Sequence, residues 1–356
     1  MYNVSYYGGN EMINVGILGA TGYTGAILVS ILKKHKEVGN IKLGSHSYVG
    51  QDFSDVYKAF KDIEDGECLD SDMNEFADEC DVVFMALPHG VASKVVTKEV
   101  LEKTKVIDLG ADFRLSDIDT YEEWYKTKHY GEDVLSESVY GLCEIERENI
   151  KGTRLLANPG CYTTCSILSL YPLVKEKLID INSIIIDAKS GVSGAGRKAA
   201  TGSLFCECNE SIKVYGIGTH RHTPEIEEQL SKLGEDITLS FTPHLVPMNK
   251  GILTTIYANV NERVGESDIK EAYEKYYKDE YFIRLRETGD LPVTNYVKGT
   301  NILDTSFVLD KRVNRVIVSS VIDNLMKGAS SQAVQNMNIM FGFGEKEGID
   351  FVPMYI

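Results

Sequence analysis

The chain has 356 residues, 43% of them hydrophobic and 25% charged, with a formal net charge of −16. That balance excludes a general affinity for nucleic acid or anionic membrane surfaces, and leaves room for a small anion only where Arg and His gather locally. No apolar run is long enough to span a bilayer, and an odd count of seven cysteines argues against a disulfide framework and for a reducing cytoplasm.

The opening residues, "MYNVSYYGGNE", lack the basic start and apolar stretch of a signal peptide and read as a loose extension. "INVGILGATGYTGAILVSILKK" follows at 13–34. Ile13, Val15 and Ile17 suit a buried strand. Gly16, Gly19, Gly22 and Gly25 recur at every third position, and the apolar residues after them take helical spacing. Strand, glycine-rich turn and helix form the context in which a backbone approaches a pyrophosphate at a helix N-terminus. The next strand is expected at 41–47, "IKLGSHS". An NAD site usually places a carboxylate near that point to hold the ribose hydroxyl. Here Ser45, His46 and Ser47 stand instead, with no carboxylate before Asp52, which favours NADP.

"DVVFMALPHG" at 81–90 is an apolar strand ending in Pro88-His89-Gly90, and "KVIDLGADFRL" at 105–115 repeats the design. The alternation of strands and helices indicates a parallel sheet. "LLANPGCYTT" then breaks at Asn158-Pro159-Gly160 and restarts as a helix at Cys161, bent or restarted again at Pro172. A thiol at a helix N-terminus gains from the dipole and the free amides, which favour a thiolate and could also hold an oxyanion. Cys161 is therefore the candidate nucleophile, and Cys165, one turn on, a small buried hydrophobe.

A nucleophile needs a group that manages protons. His220-Arg221-His222 precede Thr223-Pro224-Glu225, with Thr223 as the expected cap and Pro224 as the first helical residue. Two imidazoles and a guanidinium there suit an anionic substrate and acid–base chemistry. "DAKSGVSGAGRKA" at 187–199 is a flexible loop able to wrap an anion with Arg197. Cys206 and Cys208 form a C-x-C with no second pair at zinc-like spacing, so no metal site is expected.

"NPGCYTT", "SGVSGAGR", "HRHTPEI" and "DNLMKGASSQAVQNMN", with "GATGYTG", "LPHG" and "DLGADFRL", closely resemble the N-acetyl-γ-glutamyl-phosphate reductases of arginine biosynthesis. The resemblance runs from about Ile13 to the C-terminus, and aspartate-semialdehyde dehydrogenases are the wider relatives. It implies an α/β fold. After an extension at 1–12, a Rossmann NADP-binding domain spans 13–160 and an α+β substrate and dimerisation domain 161–322. A C-terminal helix within 323–356 returns to the first domain, beginning near Lys327-Gly328. By the same resemblance the catalytic pair is Cys161 and His220, with His222 as the alternative for the latter. Substrate contacts fall on Arg114, Ser190, Arg197 and His222. NADP(H) contacts fall on Gly19, Thr21, Gly22, Tyr23, Thr24, Gly25, Ser45, His46, Pro88, Ser193, Gly194 and Asn324. One departure is Cys143 in "YGLCE", where the family often carries proline.

The implied partners are a small acyl-phosphate substrate and further copies of the chain, as a dimer or tetramer. The implied reaction reduces the acyl phosphate to an aldehyde through a cysteine thioester. Two rivals stand beside it: the same chemistry on a substrate one methylene longer, which binding discriminates by only ~1–3 kcal/mol, and a non-catalytic dinucleotide sensor.

Overall fold

A computed structural model describes residues 12–353; the extension expected at the N-terminus lies outside the described residues apart from Met12. The described chain forms two compact units, one of residues 12–116, 129–158 and 332–349, the other of residues 117–128, 159–331 and 350–353. The expected boundary at 160/161 falls two residues after this division.

The first unit is built on β1 (Ile13–Leu18), β2 (Val38–Gly44), β3 (Val82–Met85), β4 (Lys105–Asp108), β5 (Ser138–Tyr140) and β6 (Leu155–Ala157). All pair in parallel, in the order β2-β1-β3-β4-β6-β5. Parallel strands are covered on both faces and read as continuous apolar runs, and β3 and β6 are buried at every position. The strand order reverses between β1 and β3, where the turn into α1 (Tyr23–Leu32) leaves the sheet. Ligands in such sheets bind at this reversal, outside the carboxyl ends of the strands. β2 ends three residues earlier than expected, because the chain turns at Ser45, whose backbone N–H bonds Leu69 O.

The second unit carries a mixed sheet of β7 (Ile185–Ser190), β8 (Lys213–Val214), β9 (Ser240–Leu245), β10 (Ile252–Asn259), β11 (Ile283–Leu285), β12 (Leu303–Asp310) and β13 (Arg315–Ile322), ordered β11-β12-β13-β10-β7-β9-β8. Burial alternates strictly along β10, so one face is core and the other open. The core face packs under α2 (Cys161–Lys175). On the open face Val308, Ile317, Tyr257 and Ile185 form one cross-strand apolar row.

α2 passes unbroken through Pro172, contrary to the expected bend or restart. Proline removes the N–H that Leu168 O would accept. That carbonyl instead accepts the hydroxyl of Tyr277 at 2.7 Å, from a helix spanning Glu266–Tyr277. A side chain thus replaces the missing backbone donor, and the helix runs three residues past the proline.

The His-Arg-His segment leads into α3 (Thr223–Ser231). His222, not Thr223, is the cap residue. It already has helical backbone angles, so Pro224 falls at the second helical position and the Thr223 hydroxyl caps nothing. A one-turn π-helix, Met326–Ser330, precedes α4 (Ser331–Phe341). From Gln332 onward that helix belongs to the first unit. There Asn336 donates to Gly141 O at 2.8 Å, and His35 bonds Asn338 at 2.8 Å. Cys143, the residue in the place of the family's proline, donates its thiol to Asn336 Oδ1 and accepts from Gln332. The thiol joins this turn to α4 where a proline ring could make no such bond.

Candidate active site

In the first unit the glycine turn is as tight as geometry permits. Gly19 has φ +82°, and a Cβ there would meet Ala86 O at 2.3 Å. A Cβ on Gly25 would meet Gly19 O at the same distance. These two glycines let β1, α1 and the end of β3 close on one another. Gly22 precedes α1 with no side-chain cap, and no carboxylate stands in the first turn, formed by Tyr23, Thr24 and Gly25. That leaves the helix dipole for an external anion, which suits a pyrophosphate. Thr21 and Ser45, both buried, share a hydroxyl–hydroxyl bond of 2.9 Å. His46 and Ser47 are exposed just beyond. The residues fit an adenine dinucleotide whose ribose meets hydroxyls and an imidazole in place of a carboxylate.

Pro88 is exposed at the end of β3, and the Gly90 N–H beyond it is held by Asp112 Oδ1 at 2.7 Å. Arg114 is buried. Its Nε donates to Asn158 O at 2.8 Å and its Nη2 to Leu109 O at 3.0 Å. The guanidinium therefore braces the backbone of the segment leading to the cysteine, which composition alone gave no reason to expect.

In the second unit, Cys161 is the first residue of α2, with Gly160 as its cap, and is half-buried. Gly328, in the π-turn, lies so near that a Cβ there would come within 2.7 Å of Cys161 Cβ. Glu225, wholly buried on α3, accepts the Gly160 N–H at 3.0 Å and the Thr163 hydroxyl at 2.9 Å. Tyr162 connects the remaining groups. Its ring lies edge-on to His220 at 5.6 Å and close to edge-on to His222 at 5.9 Å. Its hydroxyl accepts from Tyr215 at 3.1 Å, donates to His244 O at 3.3 Å and meets the Ser190 hydroxyl. Burial, above all, pushes the Tyr215 phenol up to about 12.

Ser193, Gly194 and Asn324 form a neighbouring cluster. Asn324 Nδ2 donates to Ser193 Oγ at 3.1 Å, and its Oδ1 accepts the Gly251 N–H at 2.7 Å. A Cβ on Gly194 would lie 3.3 Å from Ser190 Oγ and 3.8 Å from Asn324 Nδ2. Arg197 lies on an exposed loop. Thus Cys161, His220, His222 and Ser190 meet around Tyr162, while Ser193, Gly194 and Asn324 meet beside Ser190. Glu225, Tyr162, Tyr215 and Gly328 escaped the sequence reading as functional residues. Only Glu225 left a trace, as an acid in the first turn of a helix, and that pattern more often means simple capping.

Residues 14–153 match the family described as semialdehyde dehydrogenase, NAD binding domain, and residues 161–324 that described as semialdehyde dehydrogenase, dimerisation domain. The N-acetyl-gamma-glutamyl-phosphate reductase of Lachnoclostridium phytofermentans is 55% identical over 345 residues, covering 97% of this chain and all of its own. The chain belongs to the N-acetyl-gamma-glutamyl-phosphate reductase family. The reductase of the same name from Campylobacter jejuni subsp. doylei is 54% identical, covering 95% of this chain and 98% of its own. Among solved structures, aspartate semialdehyde dehydrogenase II of Vibrio cholerae shares the fold, with a TM-score of 0.70 at 17% identity over 93% of this chain and 98% of that one. The Candida albicans aspartate semialdehyde dehydrogenase, solved with NADP, has a TM-score of 0.66 at 18% identity, with the same coverage. As a family member this chain carries a nicotinamide-nucleotide-binding Rossmann unit and a semialdehyde dehydrogenase fold. Among the described residues no helix is long and apolar enough to cross a membrane.

Proposed function

We propose that this protein reduces N-acetyl-γ-glutamyl phosphate to N-acetylglutamate 5-semialdehyde, releasing phosphate, with NADPH as reductant. The observation that carries the reading is Cys161 at the first residue of α2, whose neighbour Tyr162 meets His220 through its ring and Ser190 through its hydroxyl.

The Cys161 thiolate attacks the acyl carbon, the phosphate leaves, and a thioester remains on the sulfur. Covalent catalysis of this kind divides one difficult step into two easier ones. When bound, the nicotinamide supplies the hydride that reduces the thioester. The thiohemiacetal on Cys161 then collapses, releasing the aldehyde and the thiolate. His220 is the imidazole of the reacting centre, with His222 beside it. Ser190, His222, Arg197 and Arg114 are the proposed substrate contacts; planar guanidinium groups bind carboxylate and phosphate in pairs of hydrogen bonds. The β1–α1 turn, Ser45, His46 and Pro88 hold the dinucleotide, and Ser193, Gly194 and Asn324 its nicotinamide end. Hydroxyls at Ser45 and Ser47 and an imidazole at His46 favour the 2′-phosphate of NADPH.

A homo-oligomer, assembled by covering the open face of the second sheet, accompanies this reading, as does a cytoplasmic location suited to seven free thiols. The reverse reaction tests the function: N-acetylglutamate semialdehyde, phosphate and NADP should yield NADPH only when all three are present. Protein that binds NADP yet forms no NADPH from this aldehyde would redirect the assignment to another acyl substrate.

A further inference from the structure

The backbone beside Cys161 belongs to the π-turn Met326–Ser330. A Cβ built on Gly328 would lie 2.7 Å from Cys161 Cβ and 3.2 Å from its Cα, with Ile322 Cδ1 at 3.3 Å. Carbon atoms in ordinary contact stand about 3.5–4.0 Å apart, so only a glycine lets the turn lie flush against the cysteine. Neither cysteine atom can swing away, because both sit at the root of the side chain.

The turn keeps this place through its width. The Gly328 N–H donates to Asp323 O at 3.1 Å and the Ser330 N–H to Leu325 O at 3.0 Å, each bond reaching back five residues. An α-helical turn closes one residue sooner. The extra residue widens the turn, and Gly328 is the residue it sets against Cys161.

Asp323 holds the start of that turn. It is fully buried and directly follows β13. Its Oδ1 accepts the N–H groups of Leu325 at 2.9 Å and Met326 at 3.3 Å, and its Oδ2 accepts the Gly299 N–H at 2.9 Å. Bonds from backbone N–H groups to a carboxylate are stronger than those to a neutral acceptor. Farther along the turn, Lys327 is fully buried, with its ammonium 5.7 Å from the centre of the Phe282 ring.

We infer that Asp323 is a positioning residue for the nucleophile: by holding the π-turn at its full width, it sets the backbone at Gly328 as the wall on which Cys161 rests. This role rests on Cys161 being the nucleophile of the reductase reading given above. Asp323 acts through the turn and not on the substrate.

The carboxylate has two separable tasks, the turn and the bond to Gly299. Asp323→Asn keeps one acceptor oxygen. Aimed at Leu325 and Met326, that oxygen satisfies two donors and gives up one, so the amide should preserve the turn. Asp323→Ala preserves neither contact.

The test is labelling of the resting protein with iodoacetamide, followed at each cysteine by peptide mass spectrometry. Exposed Cys206 reports reagent access, and buried Cys68 reports unfolding. Gly328→Ala should slow labelling of Cys161 at least about fivefold, its methyl group crowding the thiol, while Cys206 keeps its rate. Asp323→Ala should speed labelling of Cys161 at least about threefold as the wall loosens, and Asp323→Asn should stay within about twofold of wild type. A wild-type rate at Cys161 in Gly328→Ala, or equal rates in the two Asp323 variants, overturns the inference. Labelling of Cys68 would mark an unfolded variant, and the substitution at the other position then decides by the same criterion.

Turnover gives a second readout. Relieving the Gly328→Ala contact displaces Cys161 by about 1 Å, and kcat should fall about 10²-fold while KM for the acyl phosphate stays within about threefold. An unchanged kcat in the folded variant also overturns the inference. The labelling rates need no substrate, so absence of wild-type turnover would count against the reductase reading alone.

Discussion

The carboxylate of Glu225 accepts the backbone N–H of Gly160 at 3.0 Å, so the turn that presents Cys161 is held by a side chain from a separate helix. The same oxygen takes the Thr163 hydroxyl at 2.9 Å. Glu225→Ala removes the acceptor of the buried Gly160 N–H, while the Thr163 hydroxyl keeps Gly160 O at 2.6 Å, and should cost about 1–3 kcal/mol, read as a lower urea midpoint. Turnover should fall roughly tenfold as the nucleophile loses its placement. Glu225→Gln keeps an acceptor oxygen and should lose less of both. A wild-type midpoint for the alanine variant would remove the anchoring role.

Cys161→Ser should lower turnover roughly 10³-fold or more, because a hydroxyl at this position lacks the thiolate's reactivity. NADPH binding, followed by fluorescence titration, should stay within about twofold of wild type, since the binding turn lies on β1 and α1. Retained turnover in the purified serine variant would sink the nucleophile assignment.

Gly25→Ala places a methyl group 2.3 Å from Gly19 O and 2.7 Å from Ala20 Cα. Backbone atoms cannot swing aside as a flexible side chain can, so the turn must open. The expected cost is about 1–3 kcal/mol of stability, with a clear rise in the Kd for NADPH. Gly152→Ala, with open space around its would-be Cβ, is the control and should change nucleotide binding little. Equal Kd values for the two variants would show that the close packing of the turn is dispensable.

Asp108 is fully buried at the end of β4; Oδ1 accepts the Gly110 N–H at 2.8 Å, while Oδ2 has no hydrogen-bond partner among the described residues. Burial, then the Asp112 carboxylate, push its pKa up to about 7. A raised folded value means that the group's stabilising contribution is complete below the unfolded value of about 3.9 and is lost as pH rises toward 7. Asp108→Asn does not titrate. Relative to wild type it should gain stability from about pH 4 to about pH 7 and hold that gain above, measured as denaturation midpoints across pH. A difference that stays constant with pH would show that Asp108 ionises as readily in the folded chain as in the unfolded one.

Tyr257 lies at the centre of the apolar row on the open sheet face, paired with Ile317 on one side and Ile185 on the other. Tyr257→Lys puts a charge where the second copy is proposed to dock, and an uncompensated charge at an interface is strongly unfavourable. Sedimentation velocity should show a shift toward monomer. An unchanged oligomer would move the interface elsewhere on the chain.

Much of the first unit was legible because its strands are apolar runs joined by turns whose glycines have a steric reason. The glycine rhythm from Gly16 to Gly25 is local, and so is the break that starts a helix at Cys161. At Pro172 the reading missed because a distant partner intervened; at Thr223 it missed because the helix begins one residue early. Pro172 reads as a helix breaker until Tyr277, more than a hundred residues away, donates to Leu168 O. Thr223 reads as a cap until the chain arrives with His222 already helical.

The sequence by itself determined the alternation that makes a parallel sheet, the placement of a thiol at a helix N-terminus and the proximity of two imidazoles to a second helix start, because each depends on residues within one or two turns. Tertiary structure decided the rest. It set Glu225 under the Cys161 turn and brought Gly328 against the cysteine. Those features depend on contacts between segments far apart in the chain, and such contacts leave no periodic trace in any single segment.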